Sequence, residues 1–311
     1  MSLMKAFVRT NAKTDEVEIA QVTLPEISEE EVLVQVEAFG VGIHNRYFIP
    51  KDAHFPYVIG TEGAGKIAKL GSNVTNFSVG DRVIFTTNLQ PKGGAWAEYA
   101  AANKETLIAM PDHLTYQQGA AIPVAGKTAL ESMRELDLKA GDYLFVAGAS
   151  GAIGTYVIQL ATALGIHVAG SASSKNHEYM QSLGAEKTVD YHDPDWTQQV
   201  RDWARDGVTA ALAIQPGTEK DSMQVVKDGG KVITVSGYGL DLTSERNITV
   251  RQMGHHPETQ KKVKALVKQI AAGDIQLVIE KEFSFNDALE ALKKTETRHA
   301  RGKLVVNVGN N

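Results

Sequence analysis

The chain has 311 residues, 43% hydrophobic and 22% charged, with no cysteine and a formal net charge of −5. That length exceeds one typical core and predicts two domains. The missing cysteine excludes disulfides, thiolate catalysis, Cys-ligated zinc and iron–sulfur clusters, and the acidic balance gives no electrostatic case for nucleic acid or an anionic membrane.

The N-terminus enters a strand-like run, "MKAFVR", at once, so no signal peptide is expected. No apolar run approaches the ~18 residues of a membrane span, and a cytoplasmic location is expected. The first hundred residues predict short strands: "VEIAQV", "EVLVQVEAFGV", "GKIAKL", "DRVIFT" and "WAEYAA". Turn residues separate them, at Pro25-Glu26, Gly71-Ser72-Asn73 and Gly80-Asp81. A helical pattern begins near Tyr116. From Asp142 onward strands ("YLFVAG", "IHVAGSA", "KTVDY", "AALAIQ", "KVITVSG", "NITVRQM") alternate with helical stretches, which predicts a parallel sheet with crossover helices. A long helix follows over about 257–272, its "KKVK" read as a solvated face, and the chain ends in a strand "GKLVVNV". With no further βα repeat, this tail is expected to return to the first domain. The expected division is 1–116 with 254–311, and 117–253.

The most specific stretch is "YLFVAGASGAIGTYVIQLATALG". A buried strand ends at Ala147, and glycines follow at 148, 151 and 154. A helix then runs with Ile153, Val157, Leu160 and Leu164 on one face. Read from Ala149 through Ser150, Gly151, Ala152 and Ile153 to Gly154, the loop is A-x-G-x-x-G, a variant of the dinucleotide fingerprint in its strand–loop–helix context. Gly151 lets backbone approach a pyrophosphate, Gly154 lets the helix pack closely, and the helix N-terminus offers N–H groups and a partial positive charge. NAD sites place an acid about 20 residues on, for the ribose 2′-OH. Here the next strand ends "VAGSASSK", with Gly170 or Ser171 at the acid position and Ser173, Ser174 and Lys175 after it. Hydroxyls and an ammonium suit a 2′-phosphate, so NADPH is the expected cofactor. Ser173 or Ser174 can equally cap the next helix.

The segments "VLVQVEAFGV", "GTEGAG", "VGDRV", "AAIPVAGKTAL", "GASGAIG" and "ARGKLVV", in this order, resemble the medium-chain dehydrogenase/reductases of the zinc-independent quinone oxidoreductase (zeta-crystallin-like) branch. The signature around 141–162 matches at Gly141, Asp142, Gly151, Gly154 and Gln159 and departs at Phe145, Ala152 and Thr162. The resemblance covers almost the whole chain. It implies an α/β fold: a GroES-like β-barrel catalytic domain interrupted by a Rossmann doubly wound parallel sheet, with the active site in the cleft between them. It also implies a homodimer through the sheet edge near "NITVRQM".

Zinc-dependent relatives carry Cys in "GVC" and His in "GHE"; these positions hold Gly42 and Thr61 here. No metal is therefore expected, although a His44/Glu62 pair is an open alternative. Glu62 is expected instead to pair with a cation of the returning tail, Arg301 or Lys303. Zinc-free members share an "N-x-x-D-x-Y" segment, which aligns with Gly42–Tyr47. Tyr47 keeps its place, Asn45 replaces the Asp and Gly42 the Asn. Tyr47 is thus the candidate to hydrogen-bond a substrate carbonyl, with a packing tyrosine as the other reading. By resemblance Thr128, Ser236 and Gly237 lie near the nicotinamide and Tyr191 near the 2′-phosphate ribose. The adjacent His255-His256 reads as a loop pair, since side chains at i and i+1 diverge. The implied activity is NADPH-dependent hydride transfer to a quinone or another conjugated carbonyl. The alternatives are an alkenal/enone double-bond reductase or a non-catalytic NADPH-binding protein.

Overall fold

The computed structural model describes residues 2–236 and 246–309. In chain order the strands β1 (Leu3–Arg9), β2 (Glu18–Thr23), β3 (Glu31–Val41), β4 (Tyr57–Val58), β5 (Glu62–Leu70), β6 (Arg82–Thr86), β7 (Tyr99–Asn103) and β8 (Ile108–Ala109) precede helices α1 (Tyr116–Ala120) and α2 (Pro123–Leu136). Then come β9 (Tyr143–Ala147), α3 (Ala152–Ala163), β10 (His167–Ser171), α4 (His177–Ser182), β11 (Lys187–Val189), α5 (Trp196–Trp203), β12 (Val208–Ala213), α6 (Glu219–Val225), β13 (Val226–Thr234) and β14 (Thr249–Gln252). The chain closes with α7 (Thr259–Ala272), β15 (Ile279–Ser284), α8 (Ala288–Glu296) and β16 (Lys303–Asn307). It divides into two compact units, Met1–Val124 with Ile279–Asn311, and Ala125–Val278.

The first unit is built on two sheets. One has the order β2-β1-β4; the other runs β15-β16-β3-β5-β6-β8, with β7 also pairing β3. The alternating runs fold this way because each strand turns one set of side chains inward. The core they share is aromatic: the Phe39 and Trp96 rings stack at 4.8 Å, and Phe7 meets Trp96 edge-on at 5.9 Å. Trp96 is fully buried, so its indole N–H needs an acceptor; it donates to the Gly40 carbonyl at 3.1 Å. The returning tail joins this sheet through β16, antiparallel to β3 with Leu304 opposite Val41.

The second unit is a six-stranded sheet in the order β11-β10-β9-β12-β13-β14, every pair parallel. Counted from β9 this is 3-2-1-4-5-6, the doubly wound order, whose direction reverses beside β9. The tail rejoins the first unit later than residue 254. Residues 254–278 group with the parallel sheet, and only from Ile279 does the chain join the other unit. In α7, Val263, Leu266, Val267 and Ile270 are buried while Lys261, Lys262 and Lys264 are exposed. The periodicity marks an amphipathic helix but not which sheet it covers. A second departure lies in α3: Leu164 is 57% exposed, because the helix ends at Ala163 and Gly165 turns the chain at φ 73°.

Candidate functional site

In a parallel sheet all C-terminal strand ends lie on one edge, where open α/β sheets bind ligands. That edge gathers most of the expected cofactor residues. Ala149 to Gly154 follow β9, Ser173 and Lys175 follow β10, Tyr191 follows β11, and Ser236 follows β13. Thr128 sits half-buried in α2 rather than after a strand. Gly237 lies outside the described residues. The Ser236 hydroxyl donates to the Ile214 carbonyl at 3.2 Å, tying the turn after β13 to the end of β12.

The glycines of the loop have different reasons to be glycine. Gly154 has a steric one: a Cβ there would stand 2.3 Å from the Ala149 carbonyl oxygen. Gly151 has none within the protein. Its φ is −78°, and an added Cβ would meet only the Gly148 carbonyl oxygen, at 3.5 Å. The space in front of it is open for a ligand that needs close backbone approach. Gly151 is also the N-cap of α3 and supplies no side-chain cap, so the first-turn N–H groups find no intrahelical partner and remain available to an anion. Behind the loop, the Thr155 hydroxyl donates to the Gly151 carbonyl at 2.9 Å and lies 2.6 Å from the Tyr179 hydroxyl. The chain thus presents a cradle that fits the pyrophosphate of a dinucleotide.

After β10, Ser174–Asn176 form a 3-10 turn with Ser173 at its N-cap, and the Ser173 side chain makes no cap hydrogen bond. The Ser174 N–H is instead accepted by Asp190, at 2.8 Å. Asn176 is buried, and its amide lies 3.3 Å from the Ser150 hydroxyl and 3.4 Å from the Ser173 hydroxyl, between the two loops. Ser174 and Lys175 are exposed. Tyr191 is 43% exposed, its ring 4.2 Å from that of His192. Asp190, Asn176 and the Thr155–Tyr179 pair are the residues that sequence reasoning missed. For Asp190 the sequence offers only an acid directly after a predicted strand; that this strand lies beside β10 comes from the sheet order.

The first unit holds the second cluster. Residues 43–47 form a turn in which the Asn45 side chain accepts the Gly42 N–H, and both Tyr47 and Phe48 N–H donate to the His44 carbonyl at 2.9 Å. Arg9 donates to the Arg46 carbonyl at 3.1 Å, and the Arg46 guanidinium pairs with Glu296 of α8 at 2.6 and 3.1 Å. With the backbone clamped from both sides, Tyr47 projects outward, 52% exposed. His44 stacks on Phe48 at 4.7 Å. Burial, and then the charge of Arg298, lower its pKa from the usual histidine value.

Glu62 turns out to be structural. Its Oε1 accepts from Lys303 Nζ at 2.5 Å and its Oε2 from the Val124 N–H at 2.8 Å, with side-chain exposures of 2% for Glu62 and 6% for Lys303. Of the two tail cations, Lys303 is the partner. Val124 stands in the first turn of α2, after Pro123 at the opening position, where a carboxylate complements the exposed N–H groups. Gly40 makes room: a Cβ there would lie 2.5 Å from Glu62 Oε1. His255 and His256 face different partners. His255 Nδ1 meets Glu131 at 2.8 Å and His256 Nε2 meets Glu135 at 2.9 Å, two separate pairs along α2. Among the described residues no three His, Asp or Glu converge as a metal-holding group, and no helix is long and apolar enough to cross a membrane.

Residues 28–112 match the alcohol dehydrogenase GroES-like domain, and residues 183–306 match the family described as zinc-binding dehydrogenase. The chain is 33% identical over 227 residues to the trans-enoyl reductase tazE of Aspergillus terreus, covering 66% of this chain and 75% of that protein. It is 29% identical over 307 residues to the NADPH-dependent alkenal/one oxidoreductase, chloroplastic, of Arabidopsis thaliana, covering 92% and 74%. The structure of the quinone oxidoreductase from Coxiella burnetii has a TM-score of 0.89 at 25% identity, covering 99% of this chain and 100% of that one.

Proposed function

Because the chain belongs to the medium-chain dehydrogenase/reductase superfamily, in its quinone oxidoreductase branch, we propose that it is an NADPH-dependent, zinc-independent oxidoreductase reducing quinones or α,β-unsaturated carbonyls. The observation that carries the cofactor reading is Gly151, a glycine that neither its backbone angle nor its surroundings require. Bound NADPH would supply a hydride; the protein's own part is to bind, orient and exclude water. The first-turn N–H groups of α3 would hold the pyrophosphate, and Ser173 and Lys175 the 2′-phosphate, with Tyr191 against its ribose. Thr128, Ser236 and Gly237 are assigned to the nicotinamide end. Tyr47, presented by its clamped turn, would donate a hydrogen bond to the acceptor carbonyl. The NADPH dependence and the enone chemistry named for the Arabidopsis relative, and the quinone named for the Coxiella structure, support this reading.

Zinc independence rests on residue chemistry. The positions aligned with zinc ligands hold Gly42 and Thr61, neither with a basic nitrogen or thiolate, and Glu62 is engaged by Lys303 and Val124. The domain roles follow: residues 1–116 and the tail bear the catalytic barrel, and the parallel sheet bears the cofactor. A cytoplasmic homodimer joined at the β14 edge is the assembly proposed. Titration with NADPH and NADH tests the core of the reading. A charge-assisted contact is worth about 1.5–3 kcal/mol, so roughly ten- to a hundredfold tighter NADPH binding is expected. Lys175→Ala should remove most of that preference and leave NADH nearly unchanged. Equal affinity of the wild type for both cofactors would refute the NADPH assignment. NADPH binding with no turnover of any quinone or enone would make the chain a binding protein.

A further inference from the structure

Resting on that cofactor reading, one carboxylate needs an account. Asp190 lies one residue past the β10–β11 pairing, where Ser171 stands opposite Val189 and the Ala172 N–H donates to the Val189 carbonyl at 3.2 Å. It therefore flanks the turn that carries Ser173, Ser174 and Lys175. The acid that selects NADH ends the strand after the fingerprint, here β10, whose acid position holds Gly170 or Ser171. Asp190 ends the neighbouring strand and sets a carboxylate beside that vacant position, where a carboxylate accepts a 2′-OH and repels a 2′-phosphate.

Asp190 is already engaged. One oxygen accepts the Ser174 N–H at 2.8 Å. The other accepts the His192 N–H at 3.0 Å and faces His192 Nδ1 at 2.7 Å. A carboxylate has about four lone-pair sites, so three are used within the chain. The His192 backbone N–H leads the contacts that hold the carboxyl well below the usual carboxylate range, against a smaller opposing effect of burial.

We infer that His192 masks Asp190: the imidazole takes up the carboxylate that would otherwise bind a ribose 2′-OH, which makes His192 a specificity-determining residue for NADPH over NADH. The same carboxylate, through the Ser174 N–H, positions the phosphate-binding turn. A potential NADH determinant thus becomes a brace for the NADPH site.

Calorimetric titration with NADPH and with NADH reads the inference without turnover. The imidazole is 66% exposed and its partner 23%, so the pair is screened and the effect is modest. In His192→Ala the NADPH:NADH affinity ratio should fall about two- to fivefold, through both weaker NADPH and tighter NADH binding. His192→Gln, which keeps an amide donor, should lie between. Adding Asp190→Asn to His192→Ala removes the uncovered charge and should bring the ratio back toward that of the wild type. An unchanged ratio in folded His192→Ala and His192→Gln overturns the inference while leaving the cofactor reading intact. So does a fallen ratio that Asp190→Asn does not restore, because the imidazole would then be touching the phosphate itself. A wild type without NADPH preference overturns both.

Discussion

At the scale of single residues, function shows where a side chain's identity lacks a structural cause. Gly154 is held by the Ala149 carbonyl, whereas Gly151 is free to be something else as far as its own chain is concerned. Gly151→Asp should therefore fold normally, with a thermal midpoint within a few degrees of wild type, and lose NADPH affinity by at least about a hundredfold, since the new carboxylate would face a pyrophosphate. A titration and a melting curve check both halves. His44 makes a separate prediction. Its pKa in the folded state is depressed by burial and Arg298, while the unfolded chain titrates near the ordinary value of about 6.5. Between those two values the unfolded state binds more protons, so stability rises with pH there. The stability His44 contributes is complete above about pH 6.5 and is lost as pH falls through that value toward the folded pKa. In His44→Gln, urea midpoints should change less between pH 5 and 7 than in the wild type, where the acid-side decline should be visible.

At the scale of elements, the buried Glu62–Lys303 pair connects β5, β16 and the first turn of α2. Breaking such a pair leaves a buried charge without its partner and costs about 3–5 kcal/mol. Lys303→Met should lower the urea midpoint accordingly. Glu62→Gln combined with Lys303→Met should recover much of the loss, since an amide can still accept the Val124 N–H. A tail cation, Arg301 or Lys303, was legible as the partner of Glu62 from the family resemblance and the tail's expected return to the barrel; that it is Lys303 came from the structure. The strand–loop–helix around Gly151 was legible for a different reason: its glycine spacing is dictated by local backbone approach and needs no tertiary information. The point of return was not legible. The apolar face of α7 tells that the helix is half-buried, and either sheet would bury it equally well. Asp190 escaped notice because an acid before Tyr191-His192 reads as ordinary turn chemistry. Its meaning depends on β11 lying beside β10, which strand order alone reveals.

At the scale of the whole molecule, the proposed activity depends on what the chain offers to a developing negative charge. A Lewis-acidic metal contributes several kcal/mol to that stabilisation in metalloenzymes. On the proposed reading Gly42 and Thr61 stand where zinc-dependent relatives carry ligands, and one hydroxyl, Tyr47, is the proposed donor. Losing an oxyanion donor costs about 2.7–4 kcal/mol in other enzymes, so a single donor leaves the acceptor to delocalise charge itself. Quinones do so by becoming aromatic and enones by forming enolates; saturated aldehydes cannot. Tyr47→Phe should slow enone reduction by about a hundred- to a thousandfold, while NADPH affinity is unchanged. The most direct test follows the hydride. With NADPH deuterated at the nicotinamide C4 and an α,β-unsaturated ketone as acceptor, the saturated product should carry the deuterium on its β-carbon, and NADPH should be consumed in step with it. A quinone should be reduced under the same conditions and a saturated aldehyde left intact. Deuterium delivered to a saturated aldehyde, with enone and quinone untouched, would contradict the account.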